Sequence, residues 1–202
     1  GNDVEGELVV AALEKENIDC SRVSKLNKKT AWTKIELYKG DRVFVDESLG
    51  VQLKFDLFEE DYDYLRNFAF VHHTIFSNWP TAVSDGIESY YKKIENQVQR
   101  LRRNRVKVSV DFSEKFDEKL LASLKNFVDL GFFSRPELSR TELKDEFKKL
   151  YRYGFSVVVI TMGAKGSAAF FGRDIITQPA VPTKVIDTLG VGDAFIGAFL
   201  SQ

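Results

Sequence analysis

The sequence predicts an α/β fold, a doubly wound and mostly parallel sheet carrying a small β-hairpin lid, and three observations lead to it. From about Glu59 onward, short and continuously apolar runs alternate with longer helical segments. Those runs are rich in β-branched residues, as strands covered on both faces are. Ahead of them, a period-two segment is followed at once by a second extended run, which marks a separate antiparallel hairpin.

Taken in order, Val4, Leu8, Ala11 or Ala12 and Leu13 recur at helical spacing, so the opening segment reads as an amphipathic helix ending near Asn17. Between Thr30 and Leu37, apolar and polar residues alternate, and Lys39-Gly40-Asp41 turns the chain into a second run from Arg42 to Asp46. The hairpin, about residues 30–46, has the look of a flap inserted into one α/β domain that takes up the rest of residues 1–202. Strands then fall at Ala69–Val71, Val106–Asp111, Val128–Phe133 and Val157–Thr161, separated by helices at Ser84–Arg103, Glu118–Asn126 and Glu137–Tyr151. Ser167–Phe171 and Asp174–Thr177, joined around Gly172-Arg173, form a further hairpin.

Composition narrows the function classes. The 202 residues carry a formal net charge of −1, so no global field draws the chain to nucleic acid or to an anionic membrane. Arg100, Arg102, Arg103 and Arg105 end a charged helix without interleaved aromatics and read as a solvated face. Cys20 is the one cysteine, which excludes an internal disulfide framework and fits a reducing, cytoplasmic setting. No apolar run approaches the roughly 20 residues that span a bilayer.

Chemistry concentrates in Val185-Ile186-Asp187-Thr188-Leu189-Gly190-Val191-Gly192-Asp193-Ala194-Phe195, which reads strand, glycine loop, helix. Gly190 and Gly192 permit a tight turn, and the helix after them aims free N–H groups and its positive dipole end into the loop, a cup for anions. An acidic side chain at such a cup is awkward for phosphate binding alone, yet suits a base beside a transferring phosphoryl group. The same residues also fit an ordinary glycine turn with Asp193 as the helix cap.

The run Asp187-Thr188-Leu189-Gly190-Val191-Gly192-Asp193 resembles the D-T-x-G-A-G-D signature of the ribokinase (PfkB-type) family of sugar kinases, with Val191 in place of alanine. By that resemblance Asp193 deprotonates the acceptor hydroxyl, the N–H groups of Gly190, Val191 and Gly192 stabilise the transferring phosphate, and Asp187 lies beside a monovalent-cation site of the K+ type. Thr161-Met162-Gly163-Ala164-Lys165-Gly166 resembles the family's T-L-G-x-x-G turn, which implies contact with ATP through Thr161, Gly163, Ala164 and Gly166; a plain strand-to-hairpin turn would use those glycines equally well. Ser134-Arg135-Pro136-Glu137 stands where the family has N-x-x-E, with serine replacing asparagine. Glu137 there implies a water-mediated ligand to Mg2+, or else a helix-start glutamate favoured by the dipole. Asp111, ending a strand, is a secondary candidate for ligand contact.

His72 and His73 lie side by side on a strand, face opposite sides and make poor metal geometry, which leaves one to line a sugar pocket and one to be structural, or neither to take part. Gly1-Asn2-Asp3-Val4-Glu5-Gly6 and Asn17-Ile18-Asp19-Cys20-Ser21-Arg22-Val23 are also similar to family segments. Lys39–Phe44, the Glu59–Tyr62 helix start and Val110-Asp111-Phe112-Ser113 resemble its fructoselysine 6-kinase branch. The resemblance implies ATP-dependent phosphorylation of a fructosamine at its 6-hydroxyl, with Trp32, Arg42, His72 and Phe76 as pocket or lid residues. It also implies a homodimer through the hairpin, whose outer face would gain an apolar patch if Trp32 and Tyr38 share it. Another sugar or nucleoside kinase of the family, and a non-catalytic sugar- or nucleotide-binding module, are the alternatives. Set against the family, the chain lacks segments at both ends.

Overall fold

In the computed structural model, residues 1–38, 41–75, 87–114, 118–139 and 141–202 are described. The chain divides into two compact units, Gly1–Asp61 and Tyr62–Gln202.

The first unit opens with helix α1 (Val4–Lys15), capped by Asp3, whose side chain accepts from Gly6 N at 3.0 Å. Thr30 donates to the same carboxylate from Oγ1 at 2.5 Å and from its backbone N at 2.7 Å. These bonds, the Thr30 hydroxyl first, hold the Asp3 carboxyl down at about 2. Strands β1 (Trp32–Tyr38) and β2 (Asp41–Ser48) then pair antiparallel, as the alternation predicts. Lys34 pairs with Asp46 and Ile35 with Phe44, so Val45 is the extra residue of a β-bulge. Val43, Phe44 and Val45 are all exposed. Helix α2 (Glu59–Leu65) starts where three consecutive acidic residues favour its N-terminal dipole.

The second unit is built on a six-stranded sheet in the order β3-β4-β5-β6-β7-β8. Strands β3 (Val71–Thr74), β4 (Val108–Asp111), β5 (Leu130–Ser134) and β6 (Val157–Thr161) run parallel. Strands β7 (Ser167–Phe171) and β8 (Asp174–Gln178) add antiparallel. The crossovers are α3 (Ile87–Arg103), α4 (Glu118–Ser123) and α5 (Leu143–Tyr151), and a last helix, α6 (Val191–Leu200), follows β8.

The strand periodicity sorts two cores. Phe133 stacks on Phe112 with centroids 5.0 Å apart and meets Phe155 edge-on, while Phe170 of β7 packs against Phe147 and Tyr151 of α5. On the opposite sheet face, Leu130, Phe132 and Val159 bury themselves with Ile196 of α6, and Phe195, Phe199 and Leu200 pack around them. Helices therefore cover both faces, and the continuously apolar strands are accounted for.

Several boundaries differ from expectation: β4 and β5 start at Val108 and Leu130 rather than Val106 and Val128, α4 ends at Ser123 rather than Asn126, and three further differences have local causes. Strand β3 begins at Val71 rather than Ala69, because Val71 N is the first in that run to bond β4's neighbour Lys107 O, at 2.9 Å. Helix α5 begins at Leu143 rather than Glu137. Glu142, the N-cap residue, accepts from Ser139 N at 3.0 Å and closes a turn that precedes the helix. Val185 and Ile186 form no strand: they are 66% and 92% exposed, and no strand among the described residues pairs with them.

Candidate active site

The C-terminal ends of the four parallel strands come together along one edge of the sheet, where open α/β sheets hold their ligands. Register fixes which side chains share a face there. His72 lies opposite Ser109 and Thr74 opposite Asp111, with Asp111 in turn opposite Phe132. Because Phe132 belongs to the core under α6, His72, Ser109 and Asp111 point to the α6 side. His73, one residue on, faces the other way.

Asp193 is the third residue of α6 and is exposed. It lies within electrostatic reach of both His72 and Asp111. Burial pushes the Asp111 carboxyl up, against hydrogen bonds from Ser113 N at 2.8 Å and Ser113 Oγ at 3.2 Å; nearby His72 lowers it and Asp193 raises it. His72 is exposed as a residue, yet the partial burial of its ring is the main effect and pushes the imidazole down, while Asp111 and Asp193 pull it up. The ring meets Phe132 edge-on at 6.1 Å, and Phe132 meets Phe199 of α6 edge-on at 5.5 Å.

The loop before α6 has the geometry its glycines suggest. Gly190 takes a φ of 72° at the N-cap, a left-handed conformation that favours glycine. Asp187 Oδ1 accepts from Leu189 N at 2.9 Å, tightening the approach. The first intrahelical bond is Ala194 N to Gly190 O at 2.9 Å, so the N–H groups of Gly192 and Asp193 precede the helical ladder. Val191 N has only a long contact, 3.4 Å, to Thr188 O. Asp193 is not the cap, since that position belongs to Gly190.

Thr161 ends β6, half-buried, and its carbonyl accepts from Arg135 N at 2.8 Å. Beyond it Gly163 and Gly166 take φ values of 55° and 99°, with Met162 N bonded to Gly166 O at 2.8 Å across the turn that holds Ala164. A Cβ on Gly166 would stand 2.1 Å from Gln178 O, so the turn needs glycine there for packing as well. Glu137 is exposed and lines a shallow cavity of about 280 Å³ with Glu114, Ser134, Arg135 and Glu142 among its walls. The Arg135 guanidinium is held by Glu146 at 3.0 Å and by the carbonyls of Glu114 and Ser134, both at 2.7 Å. Among the described residues, no group of three or more His, Cys, Asp or Glu is placed to hold a metal ion.

The structure thus brings His72, Asp111 and Asp193 together and sets Thr161 beside the Ser134–Glu137 loop. Trp32 lies in β1 of the first unit, 45% exposed. Arg42 lies in β2, and Phe76 falls outside the described residues. Sequence reasoning missed Ser109, which bonds His72; its one signal is a serine set between Val108 and Val110 of a buried strand.

The sequence model described as pfkB family carbohydrate kinase matches residues 1–202. Fructoselysine 6-kinase of Escherichia coli is 33% identical over 200 residues, 99% of this chain and 70% of that protein. Fructosamine kinase FrlD of Bacillus subtilis is 27% identical over 205 residues, covering 100% and 66%. Among solved structures, Arabidopsis thaliana ribokinase complexed with ribose and ATP superposes with a TM-score of 0.77 at 22% identity, over 98% of this chain and 65% of that one. A structure described as a ribokinase II of E. coli, with ATP and Mg2+, gives 0.77 at 17%, over 100% and 67%. The chain therefore spans 65% to 70% of the length of these proteins.

Proposed function

We propose, on the premise that this chain belongs to the pfkB family of carbohydrate kinases, that it carries the phosphoryl-transfer centre of an ATP-dependent sugar kinase whose acceptor is a fructosamine such as fructoselysine, phosphorylated at its 6-hydroxyl. The observation that carries the reading is the placement of Asp193. Its carboxylate sits in the first turn of α6, beside N–H groups that the helix leaves unbonded and across from His72 and Asp111. A base needs a proton to remove and an electrophile next to it, and this arrangement offers both positions.

Asp193 takes the proton of the acceptor hydroxyl as its oxygen attacks the γ-phosphorus of ATP. Backbone N–H groups at Gly190, Val191 and Gly192 face the charge that builds on the phosphoryl oxygens. Gly192 supports that role. It has no positive φ, and a Cβ there would meet nothing within 4 Å, so the backbone at this position is open to close approach by a phosphate. Thr161, Gly163, Ala164 and Gly166 are assigned to ATP.

The exposed carboxylate of Glu137, in a cavity walled by further hard oxygen donors, fits Mg2+ held through water and nucleotide phosphates rather than by a protein cage. When bound, that ion supplies neutralising charge to the phosphates. A monovalent cation beside Asp187 and pocket roles for Trp32, Arg42, His72 and Phe76 belong to the same proposal. So does dimerisation through the hairpin, supported by the exposed Trp32, Val43, Phe44 and Val45.

ADP release from Mg-ATP, measured on the full-length protein with fructoselysine, fructose, ribose and adenosine, tests the reading. Release stimulated by fructoselysine above the others supports it. Stimulation by adenosine or ribose instead would move the substrate to another branch, and binding without release would make this a non-catalytic module.

A further inference from the structure

We infer that Ser109 is a positioning residue that fixes the tautomer of His72, so that the imidazole presents Nε2–H on the sheet face shared with Asp111 and Asp193. Ser109 is wholly buried, at 0% exposure. Its Oγ lies 2.9 Å from His72 Nδ1. A serine hydroxyl has one proton to place, and among the described residues His72 Nδ1 is the acceptor recorded for it. Were Nδ1 protonated, it would donate to Oγ and leave the buried O–H proton without an acceptor, which native interiors avoid. Nδ1 therefore accepts, and the ring proton sits on Nε2.

The fold holds this pair in place. His72 and Ser109 are register partners on adjacent parallel strands, so the backbone ladder sets their spacing, and the edge of Phe132 restricts the ring. The charged and titratable groups facing His72 are Asp111 from β4 and Asp193 from α6, while neighbouring His73 points to the opposite sheet face. With Nδ1 taken up by Ser109, Nε2–H is the donor the ring offers from an otherwise exposed residue. Such a donor near Asp111 and Asp193 suits an oxygen acceptor, a hydroxyl or ring oxygen of a polyol. It would orient the sugar while Asp193 handles the proton.

That last step rests on the kinase reading above, but the tautomer does not. Nitrogen-15 NMR of the imidazole ring assigns the protonated nitrogen directly, and His72→Gln identifies which of the two histidines gives each signal. The expected spectrum has Nε2 protonated in the parent, a mixture of tautomers in Ser109→Ala, and Nε2–H restored in Ser109→Thr. In the full-length protein, Ser109→Ala should raise KM for the sugar roughly 3- to 10-fold, as loss of one hydrogen bond does, with kcat and KM for ATP unchanged, and Ser109→Thr should recover it. A parent His72 protonated at Nδ1, or Nε2–H undiminished in Ser109→Ala, overturns the assignment. A confirmed tautomer in a protein that turns over no sugar would strike the kinase reading and uphold this one.

Discussion

Lys165 Nζ donates to the carbonyl oxygen of Pro136 at 2.9 Å and to that of Leu138 at 3.3 Å, so one ammonium joins the β6–β7 turn to the loop after β5. Those are the two segments assigned to ATP and to Mg2+, and they are 27 to 29 residues apart in sequence. Lys165→Met keeps the side-chain stem and removes the charge-assisted bonds. The expected outcome is a KM for ATP raised roughly 5- to 20-fold with little change in the sugar's KM, read from initial rates.

Gly192 separates folding from chemistry. Because a Cβ there meets nothing and alanine favours a helix over glycine by about 1 kcal/mol, Gly192→Ala should leave the melting temperature unchanged or slightly raised. If phosphate approaches this backbone closely, turnover should fall by roughly tenfold or more. Calorimetry and ADP release on the same sample check both halves.

His73 supplies a pH dependence whose sign is fixed. Burial, and to a lesser degree neighbouring His72, lowers its pKa from 6.5 to about 4, and its Nε2 is buried without a partner among the described residues. The folded state therefore takes up this proton less readily than the unfolded state does. Stability from this group is complete above the unfolded value and is lost as pH falls from about 6.5 toward about 4. Urea unfolding should show about 2 kcal/mol less stability at pH 5 than at pH 7 from His73, and His73→Gln should flatten that slope.

Period and residue chemistry made most of the second unit legible. Short apolar runs give β4, β5 and β6 because those strands are largely buried, and the Gly190–Asp193 loop is found from its glycines because Gly190 does adopt positive φ. The failures have local causes. Val185-Ile186 looks like a strand by composition but lacks a partner, and pairing is a tertiary property. Pro136-Glu137 reads as a start signal for α5, but the chain uses those residues for a turn and begins the helix at Leu143, after Glu142 as N-cap. Ser109 escaped notice because its role depends on register with a strand 37 residues away, which periodicity does not contain.

The central claim is that Asp193 removes the acceptor's proton. The direct measurement is single-turnover phosphoryl transfer from Mg-ATP to fructoselysine by the full-length protein and its Asp193→Asn variant, with folding verified by circular dichroism and ATP affinity by titration. The account predicts an intact fold, ATP binding within a few-fold of the parent, and a transfer rate lower by roughly 100- to 10,000-fold. Transfer by Asp193→Asn at close to the parental rate would contradict it and leave Asp193 as an ordinary first-turn residue of α6.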